Sequence, residues 1–580
     1  LASNVTMSGG TLDVDETSSV SGALTQTGDI AIDVATGKTL SYSGAAVNIG
    51  AKTLTLSGGG TLGNTNALVL NNANSKLLLN SITLDNASTS ANSLGLDVDG
   101  NSTVTALSVG HTTPVSIATG MSLSGAITVT AGSIKLDEAG TLASTVSMSG
   151  GTLDADETLT VSGALTQTAD IAIDVATGKT LTYSGAAVNL GAKTLTLSGG
   201  GTLSNTNALV LNNADSLLSL DDSSTVGLAS VTVGSNAGKG LAVNESSTIS
   251  SLKVTANTEL KVAQGKVLSG STEVAAATNL KLSGTGTFGS TLNLLGTLEA
   301  GANLTVSGLI SVGGNSAVSI PANTTLTYTG GDLNVGAYSL SIGGAGTFSN
   351  ATGSPLVLNV ADSILDLSGT GTISGPLKLE GGTLKASAGS PTISGALTQY
   401  DDATIEVAAN QTLNYSGASL NLGANKLSLI GGGTLANTNA LVLNNADSLL
   451  SLAGILTIGD IDGTTSSNSG KGIEVTSSAT MGDYDLSAVS YLSLAANQTL
   501  AGQLNLKTNG ELKTSGDGQY IGDIELAGGK FSATDNQVLG GTLSITADSE
   551  LTVSQGYTLT LSQAGGLALG ANKLIISGGG

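Results

Sequence analysis

The sequence predicts an all-β fold: a parallel β-solenoid, in which short strands wind coil upon coil. Three observations carry that prediction. Long stretches of the chain repeat one another almost verbatim. Within each repeat, apolar and polar residues alternate with a period of two, in short runs bounded by Gly, Asn, Asp or Ser. No segment sustains the spacing of an amphipathic helix.

The repeats come first in the argument because they set the scale. Residues 1–79 match residues 142–220 at a shift of 141, with 67 of 79 positions identical. A second shift, of 232, relates Gly163-Ala164-Leu165-Thr166-Gln167 to Gly395-Ala396-Leu397-Thr398-Gln399. A marker of the form Leu-Gly-Ala-x-x-Leu-x-x-x-Gly-Gly-Gly, or a close variant, ends at Gly60, Gly201, Gly433 and Gly580, with a degenerate copy ending at Gly346. Successive spacings are 141, 145, 87 and 147, so one unit of about 145 residues recurs and its third copy is short by 58. The expected organisation is unit 1 at 1–141, unit 2 at 142–287, a shortened unit 3 at 288–372, unit 4 at 373–519 and a partial unit 5 at 520–580, forming one continuous rod. Both ends repeat internal sequence rather than a polar cap, so the chain reads as a segment of something longer whose ends continue into more repeats or stack on another copy.

The strands follow from the alternation. Thr53-Leu54-Thr55-Leu56 and Ile171-Ala172-Ile173-Asp174-Val175 each put apolar residues on one face. In the second unit, strand centres fall near 173, 182, 189, 196, 203, 210 and 218, a mean step of about 7.5 residues. That step is too tight for crossover helices. An array of β-sandwiches is the rival fold, but it would use longer strands and aromatic core anchors, and this chain has no Trp and only three Phe.

Coil length follows from the indels. A solenoid tolerates loss of whole coils, because a fractional coil turns every later side chain out of phase. Lengths of 58, 87 and 145 allow three, four and seven coils of about 19–22 residues, or two, three and five coils of 29. The strand step favours three strands in the shorter coil, with the longer coil as the runner-up. Coils stacked at about 4.8 Å would make a rod on the order of 95–135 Å long.

Composition excludes several functions. With no Cys there are no disulfides, thiolate metal sites or Cys nucleophiles. A single His argues against a His-based triad or a multi-His zinc site. All 19 basic residues are Lys, so the bidentate forks that Arg gives to phosphate or guanine are missing. A formal charge of −23 opposes nucleic acid and anionic membrane, and no stretch reads as a membrane-inserting helix. With 40% hydrophobic residues the chain can nonetheless bury a core.

The residues that could carry chemistry are few. His111 lies in a turn, His111-Thr112-Thr113-Pro114, and its counterpart in the next copy is Ala256. A solvated turn histidine is the simpler reading, and no catalytic residue is assigned. Carboxylates gather at Asp13/Asp15/Glu16, Asp154/Asp156/Glu157, Asp97/Asp99, Asp460/Asp462 and Asp483/Asp485. Alternate acids on one strand could bind Ca²⁺ weakly, but no calcium-roll motif occurs, and the third unit has Glu299-Ala300-Gly301 in the equivalent place. No metal ligand or cofactor-binding residue is therefore assigned. Thr-x-Thr at Thr53/Thr55, Thr180/Thr182, Thr194/Thr196 and Thr325/Thr327 could order water as in ice-binding proteins, or simply favour β structure. Tyr42, Tyr183, Tyr328 and Tyr415 share one slot, filled by Leu561 in the last unit. A recurrent Tyr could stack on glycan, but its exchange for Leu points to an apolar packing slot.

Phrases such as Gly-Gly-Thr-Leu, Lys-Thr-Leu-Thr-Leu-Ser-Gly-Gly-Gly-Thr-Leu and Ser-Gly-Ala-Leu-Thr resemble those of bacterial repetitive surface proteins, the autotransporter passengers and filamentous-haemagglutinin-type adhesins. The resemblance implies an exported right-handed β-helix that projects from the bacterial cell and adheres to surfaces, cells or its own kind, with glycans or other cell surfaces as candidate partners. The expected function is an extracellular structural or adhesive rod, not an enzyme. Its alternatives are a subunit of a self-assembling filament or sheath and, behind that, a β-helical polysaccharide-active enzyme or an ice-binding protein.

Overall fold

A computed structural model describes the whole chain except residues 229, 230, 236, 456, 468 and 564–566. The described residues contain strands and turns and no helix, so no helix is long and apolar enough to cross a membrane. The chain divides into two compact units, Leu1–Thr291 and Leu292–Gly580. Each is a parallel β-solenoid, and between them they hold about 27 turns at roughly 21-residue spacing.

In the first unit, one coil runs through three short strands. Ile30–Val34 lies on the first face, Thr39–Tyr42 on the second and Val47–Asn48 on the third. The next coil repeats the path with Thr53–Ser57, Thr61–Asn64 and Leu68–Leu70, and each strand pairs in parallel with the one beneath it. In some coils the second and third strands fuse, as in Thr83–Thr89 and Ser102–Val109. The second copy of the sequence repeat, within Leu1–Thr291, has strands at 171–175, 180–183, 188–189, 194–198, 202–205, 209–211 and 217–220, on the expected centres.

Alternation decides what fills the bore. Ile30, Ile32 and Val34 are buried while Ala31 and Asp33 between them are half-exposed. Leu54 and Leu56 stack on them, Leu77 and Leu79 on those, and both later pairs are fully buried. Dispersion and hydrophobic burial are thus supplied by aliphatic columns running through each unit.

The register fixes the coil count. From Thr39–Tyr42 the second-face ladder climbs to Thr180–Tyr183 in seven steps, which together span the first repeat shift. In the second unit, Thr325–Tyr328 reaches Thr412–Tyr415 in four steps, the span of the shortened copy. Thr412–Tyr415 reaches Leu559–Leu561 in seven more. The coil is the shorter one, and the longer alternative does not occur among the described residues. The shortened copy has lost three whole coils, which keeps every later side chain on its proper face.

Two backbone constraints explain the recurring glycines. The turn from first to second face closes with Lys38 N–H donating to Ala35 O (2.9 Å), and Gly37 holds φ 76° there. That left-handed geometry suits Gly, or Asn in its place. Directly above, a Cβ on Gly60 would sit 2.5 Å from Ala35 O and 2.7 Å from Lys38 O. Gly201 and Gly433 meet the carbonyls of Ala176 and Ala408 at the same distance, so the last glycine of the marker is where one coil rests on the turn below.

Candidate functional site

The faces of the solenoids present columns of side chains. An outward position on one coil stands over the same position on the next, so each candidate residue is judged by what its column brings beside it.

His111 is exposed in the turn before Thr113–Ile117, and its carbonyl accepts a hydrogen bond from Thr113 Oγ1 (3.0 Å). Its imidazole has no partner among the described residues. Ala256 occupies the matching turn before Thr258–Val262.

The acidic groups are spread along the columns, and several are met by a lysine or hydroxyl. Glu16 pairs with Lys38 (2.5 Å) and Glu157 with Lys179 (2.6 Å), the same contact in two copies. Asp156 pairs with Lys135 (2.5 Å), Asp97 with Lys76, and Asp485 with Lys507. Asp13 stands in register with Asp33, which accepts from Ser57 Oγ. Asp154 lies between Lys135 and Asp174, and Asp174 accepts from Ser198 Oγ (2.5 Å). Asp460 Oδ1 accepts from the Asp483 N–H (3.0 Å). Among the described residues, no three Asp, Glu or His side chains converge in a way that could hold a metal ion.

Neighbouring like charges, together with burial, leave a mark on proton affinity. Burial, followed by the neighbouring Asp156, raises the Asp154 carboxyl above its usual range. Burial and then Asp485 do the same to Asp462, its register partner. Burial alone would also raise Asp485, but hydrogen bonds from Lys507 and Asn505 hold it below the usual range. Glu138 is raised by burial and then by Asp97, Asp137 and Asp99.

The tyrosine slot is internal. Tyr42, Tyr183, Tyr328 and Tyr415 are all buried, so none offers a ring to a glycan. The slot is not purely apolar, however. Tyr183 Oη donates to Ala186 O (2.6 Å) and accepts from the Leu165 N–H of the coil below (3.1 Å). Tyr42 makes the same pair of bonds to Ala45 and Leu24.

The threonines form one rank. On the second face Thr180, Thr202, Thr225 and Thr248 stack in register. The next outward position along the strand runs Thr182, Ser204, Gly227, so a parallel second rank is broken at once. On the first face Thr53 is covered by Lys76 and Thr55 by Leu78.

Two further features lie outside those candidates. The first coil of the Leu1–Thr291 unit opens on an apolar cavity of about 600 Å³, lined by residues that include Leu1, Val5, Leu12, Leu24 and Leu40. Leu1 is 68% exposed there, whereas its counterpart Leu142 is fully buried against the preceding coil, which carries Ser122–Val129. The other feature is a set of exposed asparagines, Asn323, Asn410 and Asn497, at one corner of the second unit. The repeat pattern hides them, because Asn simply takes the place of the turn glycine. The Asn-x-Thr triplet is the signal that could have found them.

No family model, no curated protein and no solved structure matches the chain.

Proposed function

We propose that this chain is an extracellular structural or adhesive rod of a bacterial surface protein, acting as a repetitive spacer or stalk. The observation that supports it best is the whole-coil arithmetic of the repeats. Seven coils are duplicated and three are removed without disturbing the aliphatic columns, so length varies while the fold does not. A spacer is a role in which number of coils matters and no single residue does. Immunogold labelling of intact source cells tests the reading. Label should decorate the cell exterior, and removal of residues 39–179, which joins Lys38 to Thr180, should bring any distal epitope about 34 Å closer to the surface, seven coils at about 4.8 Å each. A chain confined to the cell interior would overturn it.

The partner that fits this reading is another coil of the same kind, from flanking repeats or from a second copy, and not nucleic acid.

A further inference from the structure

We propose that Asn323, Asn410 and Asn497 are acceptor sites for N-linked glycosylation. The chain contains ten Asn-x-Ser/Thr triplets, at Asn4, Asn86, Asn101, Asn244, Asn303, Asn323, Asn350, Asn410, Asn414 and Asn497. The triplet marks a candidate acceptor only where the folded chain leaves it reachable.

The fold separates these ten into two classes. Seven have the carboxamide tied down. Asn350 is buried and donates to Ser354 O and Pro376 O. Asn86 donates to Asn64 O, Asn244 to Asp221, and Asn414 to Ser390 O. Asn4, Asn101 and Asn303 accept through Oδ1 from the N–H groups of Ala23, Ser122 and Thr325, one coil away. Asn323, Asn410 and Asn497 differ. Each is exposed, and among the described residues none has a side-chain partner.

All three occupy the same place, the turn from first to second face. Their φ values are 61°, 64° and 63°. The turns close through Thr324 N–H to Pro321 O, Gln411 N–H to Ala408 O and Gln498 N–H to Ala495 O. The left-handed residue projects its side chain from the corner, and the Thr of the triplet, at 325, 412 and 499, opens the next strand half-exposed. Amide and hydroxyl are therefore presented together on a fixed loop. The corresponding turns of the first unit carry Gly37 and Gly178 at φ 76° and 77°, which offer no amide. The three sites recur at equal intervals along the sequence, and the ladders between their turns climb four steps and then four more. Glycans would line one edge of this unit about 19 Å apart, at about 4.8 Å per coil.

The co-reactant is a sugar activated as a phosphate ester at its anomeric carbon, on either a nucleoside diphosphate or a lipid diphosphate. A glycosyltransferase would break the C1–O bond to phosphate and form a C1–N bond to the Asn Nδ2. The amide loses one proton, and the diphosphate leaves with the bonding electron pair. This goes beyond the surface role and does not depend on it, since the selection rests on which amides the folded chain leaves free.

Mass spectrometry of the protein from its source tests the proposal. The expected result is glycan on peptides containing Asn323, Asn410 and Asn497, none on those containing Asn86 or Asn350, and an intact mass that falls by one increment in each of Asn323→Gly, Asn410→Gly and Asn497→Gly. Glycine is chosen because the first unit uses it at this turn. Single sugars would indicate the nucleotide-linked donor, and a uniform oligosaccharide the lipid-linked one. Unmodified Asn at all three positions, or glycan spread over the tied triplets as well, would overturn the proposal.

Discussion

Tyr183 and Asn205 stand in register one coil apart, both buried, and each uses its polar end to hold a corner between the second and third faces. The tyrosine hydroxyl joins Ala186 O to the Leu165 N–H of the coil below, and Asn205 Nδ2 donates to Asn207 O (2.9 Å). Asn64 over Tyr42 and Asn437 over Tyr415 repeat the arrangement. These buried polar groups satisfy backbone atoms where the chain leaves one strand before entering the next.

Tyr183→Phe should therefore expose a real cost without creating a cavity. It leaves a part-buried carbonyl and a buried N–H short of a partner, a penalty of about 1–3 kcal/mol. Hydrogen exchange at the Leu165 amide should quicken by about tenfold or more, since about 1.4 kcal/mol is a factor of ten when exchange proceeds by local opening. Unchanged exchange at Leu165 would mean that the hydroxyl is incidental.

Deletion length should decide folding in an all-or-none way. Removing residues 39–60 joins Lys38 to Thr61 and takes out one coil, leaving the Ala35–Lys38 turn intact and Thr61 in the place of Thr39. That variant should keep its β-sheet circular dichroism and cooperative melting, because neighbouring coils supply the stability of a solenoid. Removing residues 39–49 takes out half a coil, and should abolish cooperative melting. Equal behaviour of the two deletions would contradict the register.

Much of this architecture was legible in the sequence because parity along a strand is a strong signal. Leu54 and Leu56 point inward and Thr53 and Thr55 outward in both readings. Gly60, Gly201 and Gly433 were visible only as the end of a repeating marker, and the turn carbonyl of the preceding coil is what they meet. The role of the tyrosine hydroxyl was hidden, since Leu561 in the same slot suggested an apolar contact alone. Column membership was hidden too. Stacked partners are unevenly spaced along the chain: Leu96 follows Leu77 by a shorter step than Leu195 follows Ile171. Counting along the sequence therefore could not say that Asp462 would face Asp485, or that Glu16 would meet Lys38.

Asp462→Asn should stabilise the protein at neutral pH. Burial and Asp485 raise the Asp462 carboxyl above its usual range, so its charged form is disfavoured in the fold. Its cost is therefore full above the raised folded value and disappears as pH falls below the unfolded value, about 3.9. The gain from the neutral amide should be about 0.2–1 kcal/mol, as for other like charges placed opposite one another. It should be seen by denaturation at pH 7 and be absent at pH 3.

His111→Ala should leave the protein unchanged in melting temperature and in surface attachment. The imidazole is exposed, and Ala256 already serves at the matching turn. A loss of attachment in this variant, with folding intact, would argue for a specific site at that corner.

Alkali should unfold the chain through its tyrosines. Burial raises the phenol groups of Tyr183, Tyr328, Tyr415, Tyr484 and Tyr520 above their ordinary value. In the unfolded chain each would ionise near pH 10. A folded value above the unfolded one means that each group contributes stability in full below about pH 10, and that this contribution is lost as pH climbs through the folded values. Ultraviolet titration of phenolate should therefore show these five protected beyond the ordinary range, then released together with the loss of β-sheet circular dichroism. Replacing Tyr183 by Phe should remove one phenolate from the late, cooperative phase and none from the early one. Ionisation of all the tyrosines in a single step near pH 10, with the sheet intact, would show that the slot is open to water.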